Sequence, residues 1–118
     1  MSGAPVITKK PNPEIFTPEK KAVKVEFEVN GLPQPEIQWF KNDEPLVLEP
    51  RIKTETRMKT IYALSIDNSN LNDAGKYTIK AKNDSGEASE SFNLIVQSIF
   101  LILFNFSLSS FRKNLYFY

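Results

Sequence analysis

Cysteine and histidine are both missing from the 118 residues, and the two absences remove much of the usual chemistry of active sites. Without cysteine there is no disulfide, no thiolate nucleophile and no thiolate metal ligand, which suits a reducing compartment. Without histidine no Ser-His-Asp or Cys-His relay and no imidazole zinc site can be assembled. The 4 glycines, at 3, 31, 75 and 86, are too scattered to build a phosphate-cradling loop. An excess of one charge is also lacking: 15 Lys+Arg face 14 Asp+Glu for a net +1, so no broad field draws in nucleic acid or an anionic membrane. The opening Met1-Ser2-Gly3-Ala4-Pro5 has no basic region followed by an apolar run, and nothing in it reads as a secretory signal.

The chain does have the makings of one folded domain. Hydrophobic residues at 41% and charged residues at 25% are the balance of a globular protein, and the length suits a single core. Three prolines within residues 9–21 block continuous helix and confine ladder pairing to an edge, so this stretch reads as an edge strand and a turn. From Val23 the pattern alternates strictly, with Val23, Val25, Phe27 and Val29 on one face and Lys24, Glu26, Glu28 and Asn30 on the other, as in a half-buried antiparallel strand. Gly31-Leu32-Pro33-Gln34-Pro35 ends it, and Ile37 and Trp39 resume the inward phase. Turn chemistry at Asn42-Asp43-Glu44-Pro45 precedes expected strands at Leu46 to Leu48, Arg51 to Arg57 and Ile61 to Ile66, the last with Tyr62, Leu64 and Ile66 on one face. Leu71, isolated in a polar stretch, is expected to plug the end of the core. Tyr77, Ile79 and Ala81 alternate with lysines and Thr78, Asn83 to Gly86 make a hairpin turn, and Ala88, Phe92, Leu94 and Val96 mark the last strand, with Glu90 and Asn93 facing out. About eight short strands without helical periodicity imply a sandwich or barrel.

Residues 97–118 break this pattern. They hold five of the 9 phenylalanines (100, 104, 106, 111 and 117) and no acidic residue. The run Ile99 to Leu108 is apolar at eight of its ten positions, well short of the roughly 20 residues of a spanning helix. The expected organisation is a domain over 5–96 and an apolar C-terminal extension outside it over 97–118; a docked strand or helix and a poor tail anchor are the alternatives for the extension.

The inward positions form the string Val25-x-Phe27-x-Val29-x-Gly31-x-Pro33-x-Pro35-x-Ile37-x-Trp39, followed by Asp73-Ala74-Gly75-Lys76-Tyr77-Thr78-Ile79-Lys80-Ala81-Lys82-Asn83. This resembles the intermediate-set immunoglobulin domains of giant muscle proteins of the titin and twitchin type, over about residues 5–96. The resemblance implies an all-β, Greek-key immunoglobulin-like sandwich without the inter-sheet disulfide. It implies that Trp39 packs between the sheets and that Tyr77 is a tyrosine-corner residue, in a corner built by Asp73, Gly75 and Tyr77. Phe27 and Ile79 stand where extracellular relatives usually hold the disulfide cysteines, and their burial replaces part of the lost cross-link. Arg51 is implied as a partner of Asp73, the alternative being a solvated arginine. Phe27, Trp39, Leu64, Tyr77 and Ile79 are the expected centre of the core.

The remaining candidates have ordinary explanations. Glu26/Glu28 and Asp43/Glu44 are close carboxylates, but neighbours in sequence do not face each other across a substrate cleft. Lys76, Lys80 and Lys82, with Lys24, would make a modest basic stripe; Glu26 and Glu28, read as lying on the neighbouring outward face, favour a solvated surface. Asn83-Asp84-Ser85 and Asn105-Phe106-Ser107 match a glycosylation acceptor pattern that has no meaning in the cytosol, and Thr17-Pro18 is a candidate phosphorylation site set against proline-restricted edge geometry. No enzyme activity and no cofactor, metal or small-molecule substrate are expected. The resemblance implies an intracellular spacer or protein-docking module of a muscle or cytoskeletal filament protein, located in the cytoplasm. Its partners would be neighbouring immunoglobulin or fibronectin-type domains and sarcomeric filaments. The alternative is an extracellular adhesion or receptor domain. What fold alone does not supply is the partner.

Overall fold

The computed structural model describes residues 3–98. Its strands run β1 (Gly3–Lys9), β2 (Glu14–Pro18), β3 (Val23–Leu32), β4 (Glu36–Lys41), β5 (Glu44–Pro45), β6 (Ile52–Arg57), β7 (Ile61–Ile66), β8 (Gly75–Asn83) and β9 (Gly86–Gln97), with a 3₁₀ turn at Leu71–Asp73. They form two sheets, ordered β1-β3-β7-β6 and β2-β9-β8-β4-β5. Every pairing is antiparallel except β2 with β9, which is parallel. The chain changes sheet repeatedly, as a Greek-key sandwich requires.

Period-two alternation sets the core. Val25, Phe27 and Val29 of β3 and Tyr62, Leu64 and Ile66 of β7 face Tyr77, Ile79 and Ala81 of β8 and Phe92, Leu94 and Val96 of β9, all buried. Phe92 links the layers: its ring stacks on Tyr77 with centroids 5.4 Å apart and lies 6.1 Å from Phe27. Each buried side chain of this size contributes about 1.5–3 kcal/mol of transfer free energy. Trp39 meets Phe27 edge-on at 5.8 Å. It is half-buried and not enclosed, because beyond β4 its sheet has only the two residues of β5.

Three local expectations fail. Leu46 to Leu48 is not a strand: β5 stops at Pro45, only the Leu46 N–H to Trp39 C=O bond continues the pairing, and Val47 and Leu48 are exposed. The left-handed pair Asn42 (φ 51°) and Asp43 (φ 67°) turns the chain sharply, as a two-residue hairpin needs, so β5 begins and ends earlier. Leu71 does not plug the core but stands 52% exposed, since the capping box of Asn70 and Asp73 closes the 3₁₀ turn and buries Asp73. Lys24 lies on β3, in the opposite sheet from Lys76, Lys80 and Lys82, so no common stripe exists and Glu26 and Glu28 do not neighbour those lysines. Lys76 instead approaches Asp43 at 3.5 Å and Lys80 approaches Glu87 at 3.9 Å.

Candidate functional site: a buried corner, a parallel edge and two ends

The loop between β7 and β8 is organised by one carboxylate. Asn70 accepts the Asn72 N–H at 2.9 Å, and the Asn70 N–H donates to Asp73 Oδ2 at 2.8 Å. Arg51, one residue before β6, donates Nη1 to Asp73 Oδ2 at 3.0 Å and Nη2 to Oδ1 at 3.1 Å, a two-pronged pair. The guanidinium also reaches the carbonyls of Asp67 and Asn68 and the carboxylate of Glu49. Burial alone would raise the Asp73 carboxyl pKa, but the Arg51 hydrogen bonds, the Asn70 N–H and the charges of Arg51 and Lys41 outweigh it and hold it below its usual value. The same pair pushes the Arg51 guanidinium up.

Tyr77 completes the corner. Its hydroxyl donates to the Asp73 carbonyl at 2.5 Å, and burial, reinforced by the Asp73 charge against the opposing Arg51, pushes its phenol well above the ordinary range. Gly75 has φ +153°, and a Cβ there would meet Asn42 Oδ1 at 2.9 Å. That oxygen accepts the Lys76 N–H at 3.0 Å, so glycine lets the β4–β5 turn close on the corner. Phe27, Leu64 and Ile79 sit in the core, with Phe27 and Ile79 buried on facing sheets.

At the other end Asn83 has a role that spacing did not reveal. Its amide nitrogen donates to the carbonyls of Gly3 at 2.8 Å and Pro33 at 3.0 Å, while its oxygen accepts the Ser85 N–H at 2.9 Å. It ties the start of β1 and the β3–β4 loop to the β8–β9 hairpin. The only signal in the sequence was an amide at a turn, which has its own local use.

The outer face of the four-stranded sheet is closed by charge. Lys24 pairs with Glu55 at 3.0 Å, and Arg57 reaches both Glu26 and Glu55. Ala63, their neighbour in register, faces outward yet is fully buried. Glu28 is taken by Thr8 at 2.7 Å, which with Lys9 and Asn30 lowers its pKa. The candidate carboxylates thus serve separate ion pairs or solvent, and none faces another across a cleft. Thr17 is buried, its hydroxyl on the Pro18 carbonyl at 3.2 Å, in the wrong place for a kinase. Among the described residues no group of three or more His, Cys, Asp or Glu is placed to hold a metal, and no helix is long and apolar enough to cross a membrane. Asn105 and the run Ile99 to Leu108 lie outside the described residues.

A two-sheet Greek-key sandwich with a tryptophan on β4 and a tyrosine corner at the start of β8 is an immunoglobulin-like domain. The family model described as the immunoglobulin I-set domain matches residues 5–96, and the chain belongs to that family. Titin of Drosophila melanogaster is 37% identical over 93 residues, covering 79% of this chain and 0% of that protein to the nearest per cent. Myopalladin of Mus musculus is 35% identical over 78 residues, covering 66% of this chain and 6% of that protein. The chain therefore spans a very small part of these curated relatives. Among solved structures, the titin M3 domain superposes with TM-score 0.75 at 30% identity, over 80% of this chain and 97% of that one. Titin M4 gives 0.75 at 26%, over 82% and 99%. The chain is homologous to domains of muscle proteins such as titin.

Proposed function

We propose that this chain is a non-catalytic spacer and protein-docking domain of a cytoplasmic muscle filament protein, built to carry tension between its two ends. The observation that supports this reading is the parallel edge. Gly3 pairs with Leu32 at one end of the sandwich, whereas Gln97 pairs with Pro18 at the other. Tension on the ends draws β2 and β9 past one another along their length. Their five register pairs, Glu14 to Pro18 against Asn93 to Gln97, are then loaded together in shear. Homology to titin and myopalladin supports the filament setting, and similar titin domains have been solved in complex with telethonin and with obscurin-like 1, partners of those titin domains.

The parity of the β2 hydrogen bonds supplies a test. The Asn93 N–H donates to the Pro13 carbonyl at 2.7 Å and the Glu19 N–H to the Gln97 carbonyl at 2.8 Å. Odd-numbered residues of β2 therefore face β9 and even-numbered ones face the free edge. Ile15→Pro removes a bond to β9, and Phe16→Pro removes none. Pulled by its ends in a single-molecule force experiment, the Ile15→Pro chain should unfold at clearly lower force than the Phe16→Pro chain. Equal unfolding forces would reject the tension-bearing reading.

A further inference from the structure

We propose that copies of this chain associate head to tail, the Met58–Lys59 turn of one seated in the groove beside Glu44, Leu46 and Val47 of the next. The proposal deepens the docking reading above and rests on it. Among the described residues seven large apolar side chains are exposed, and of these only Phe16 lies on the outer face of a sheet away from the ends. Val6, Leu32 and Met58 gather at the end that carries Gly3, and Val47, Leu48 and Leu71 at the end that carries Gln97. Single exposed apolar side chains are ordinary; their division between two opposite ends gives the domain two matching docking surfaces.

The two ends differ in shape and charge in a complementary way. Met58 (φ 53°) and Lys59 (φ 62°) hold left-handed backbone at the tip of the β6–β7 turn, and Met58 projects with 86% of its surface exposed. A flexible, polarisable thioether adapts to an irregular groove. Behind it, a cleft of about 620 Å³ runs between Val6, Leu32 and Pro35, and Lys59 is the one charged residue among its lining. Lys59 has no carboxylate partner among the described residues.

At the far end a groove of about 650 Å³ lies between the β5–β6 segment and the Asn70–Asp73 turn. Arg51, Glu49 and Asp73 satisfy one another there, and Lys41 donates to the Asn72 carbonyl. Glu44, opposite Lys41 in register, has no salt-bridge partner among the described residues, and neither has Lys41; with Glu44, Glu49 and Asp73 against Lys41 and Arg51 the lining carries a net charge of −1. A cationic knob at one end and an anionic groove at the other make a heterologous contact, which propagates as a row instead of closing as a two-fold dimer. Its charged component weakens with salt.

Sedimentation velocity on the full chain, up to about 1 mM for a weak complex, tests this. The wild-type chain should sediment faster as concentration rises, and less so at high salt. Lys59→Glu and Glu44→Lys should each weaken association at least tenfold, while an equimolar mixture of the two restores it, because each variant supplies the other's complementary end. Both variants must first give the wild-type circular dichroism spectrum; where one does not, Lys59→Gln and Glu44→Gln replace the pair, each with the same loss expected. A wild-type chain monomeric throughout, or an association that neither reversal changes, as when the apolar C-terminal segment carries it, overturns the proposal. Either result leaves the force experiment on β2 untouched, so failure of this contact and failure of the spacer reading are distinguishable.

Discussion

Tyr77 and Asp73 are joined by a hydroxyl-to-carbonyl hydrogen bond four residues apart in sequence, and the carboxylate of the same Asp73 holds both terminal nitrogens of Arg51. One residue thus anchors the start of β8 through its backbone and the start of β6 through its side chain. These strands lie in different sheets, so the corner fastens the sandwich at the end where β9 finishes.

Tyr77→Phe keeps the ring on Phe92 and removes only the hydroxyl. The Asp73 carbonyl is left without that donor, and the expected loss is about 0.5–1.5 kcal/mol in chemical denaturation at pH 7. The phenol is raised in the folded state, so its contribution is fully present below the unfolded value near 10 and is lost as pH rises beyond it. The difference between wild type and variant should therefore shrink in alkali. A difference that is constant from pH 7 to 11 would remove the hydroxyl from the account.

Asp73 gives the opposite slope. Its carboxyl is depressed in the folded state, so it stabilises above its unfolded value of about 3.9 and the contribution is lost as pH falls through the lower folded value. Asp73→Asn should cost about 1–3 kcal/mol at neutral pH, with Arg51 left facing a neutral amide. Below about pH 4 the two chains should converge. Urea midpoints measured from pH 7 to 2 check the slope, and parallel curves would reject the assignment.

Much of this fold can be read from alternation, because burial on one face dictates residue type at every second position. Val25, Phe27 and Val29, or Tyr77, Ile79 and Ala81, needed no further information. Arg51 and Asp73 are separated by 22 residues, and no spacing rule joins them; the resemblance suggested the pair and the geometry displays it. Asn83 was illegible for a related reason, since its partners are backbone carbonyls 80 and 50 residues away. Leu71 misleads because an apolar residue in a polar loop looks like a plug, whereas the capping box fixes the backbone and directs Asp73 inward instead. Ala63 is hidden on the outward phase by long charged side chains from the neighbouring strands, whose aliphatic stems cover it.

Phe27→Ala tests the core where a disulfide is absent. The ring lies 5.8 Å from Trp39 and 6.1 Å from Phe92, and removing it leaves a cavity that the two sheets cannot easily close. The expected cost is about 3–5 kcal/mol, a large part of the 5–15 kcal/mol typical of a whole domain. A loss below about 1 kcal/mol, read from the denaturation midpoint and slope, would mean that the ring is not where the alternation puts it.

The last expectation concerns where the folding unit stops. Family resemblance ends at Val96, but β9 continues through Gln97, whose carbonyl accepts the Glu19 N–H at 2.8 Å and whose backbone pairs with Pro18. Among the described residues the hydrophobic core runs as far as Val96, and the expectation is that residues 99–118 are not needed to complete it. Two truncations separate these boundaries. A chain ending at Ser98 retains the Gln97 bond and should unfold in one cooperative transition within about 0.5 kcal/mol of the full chain, a small fraction of domain stability. Its solubility should rise, since an uncharged aromatic and β-branched run is gone. A chain ending at Val96 also loses the pairing at the parallel edge and should fall below the Ser98 chain by about 0.5–1.5 kcal/mol. If the Ser98 chain instead loses cooperativity, or falls by more than about 2 kcal/mol, residues 99–118 belong to the folding unit and the boundary is misplaced; if the two truncations are equally stable, the Glu19–Gln97 bond contributes nothing to closing that edge.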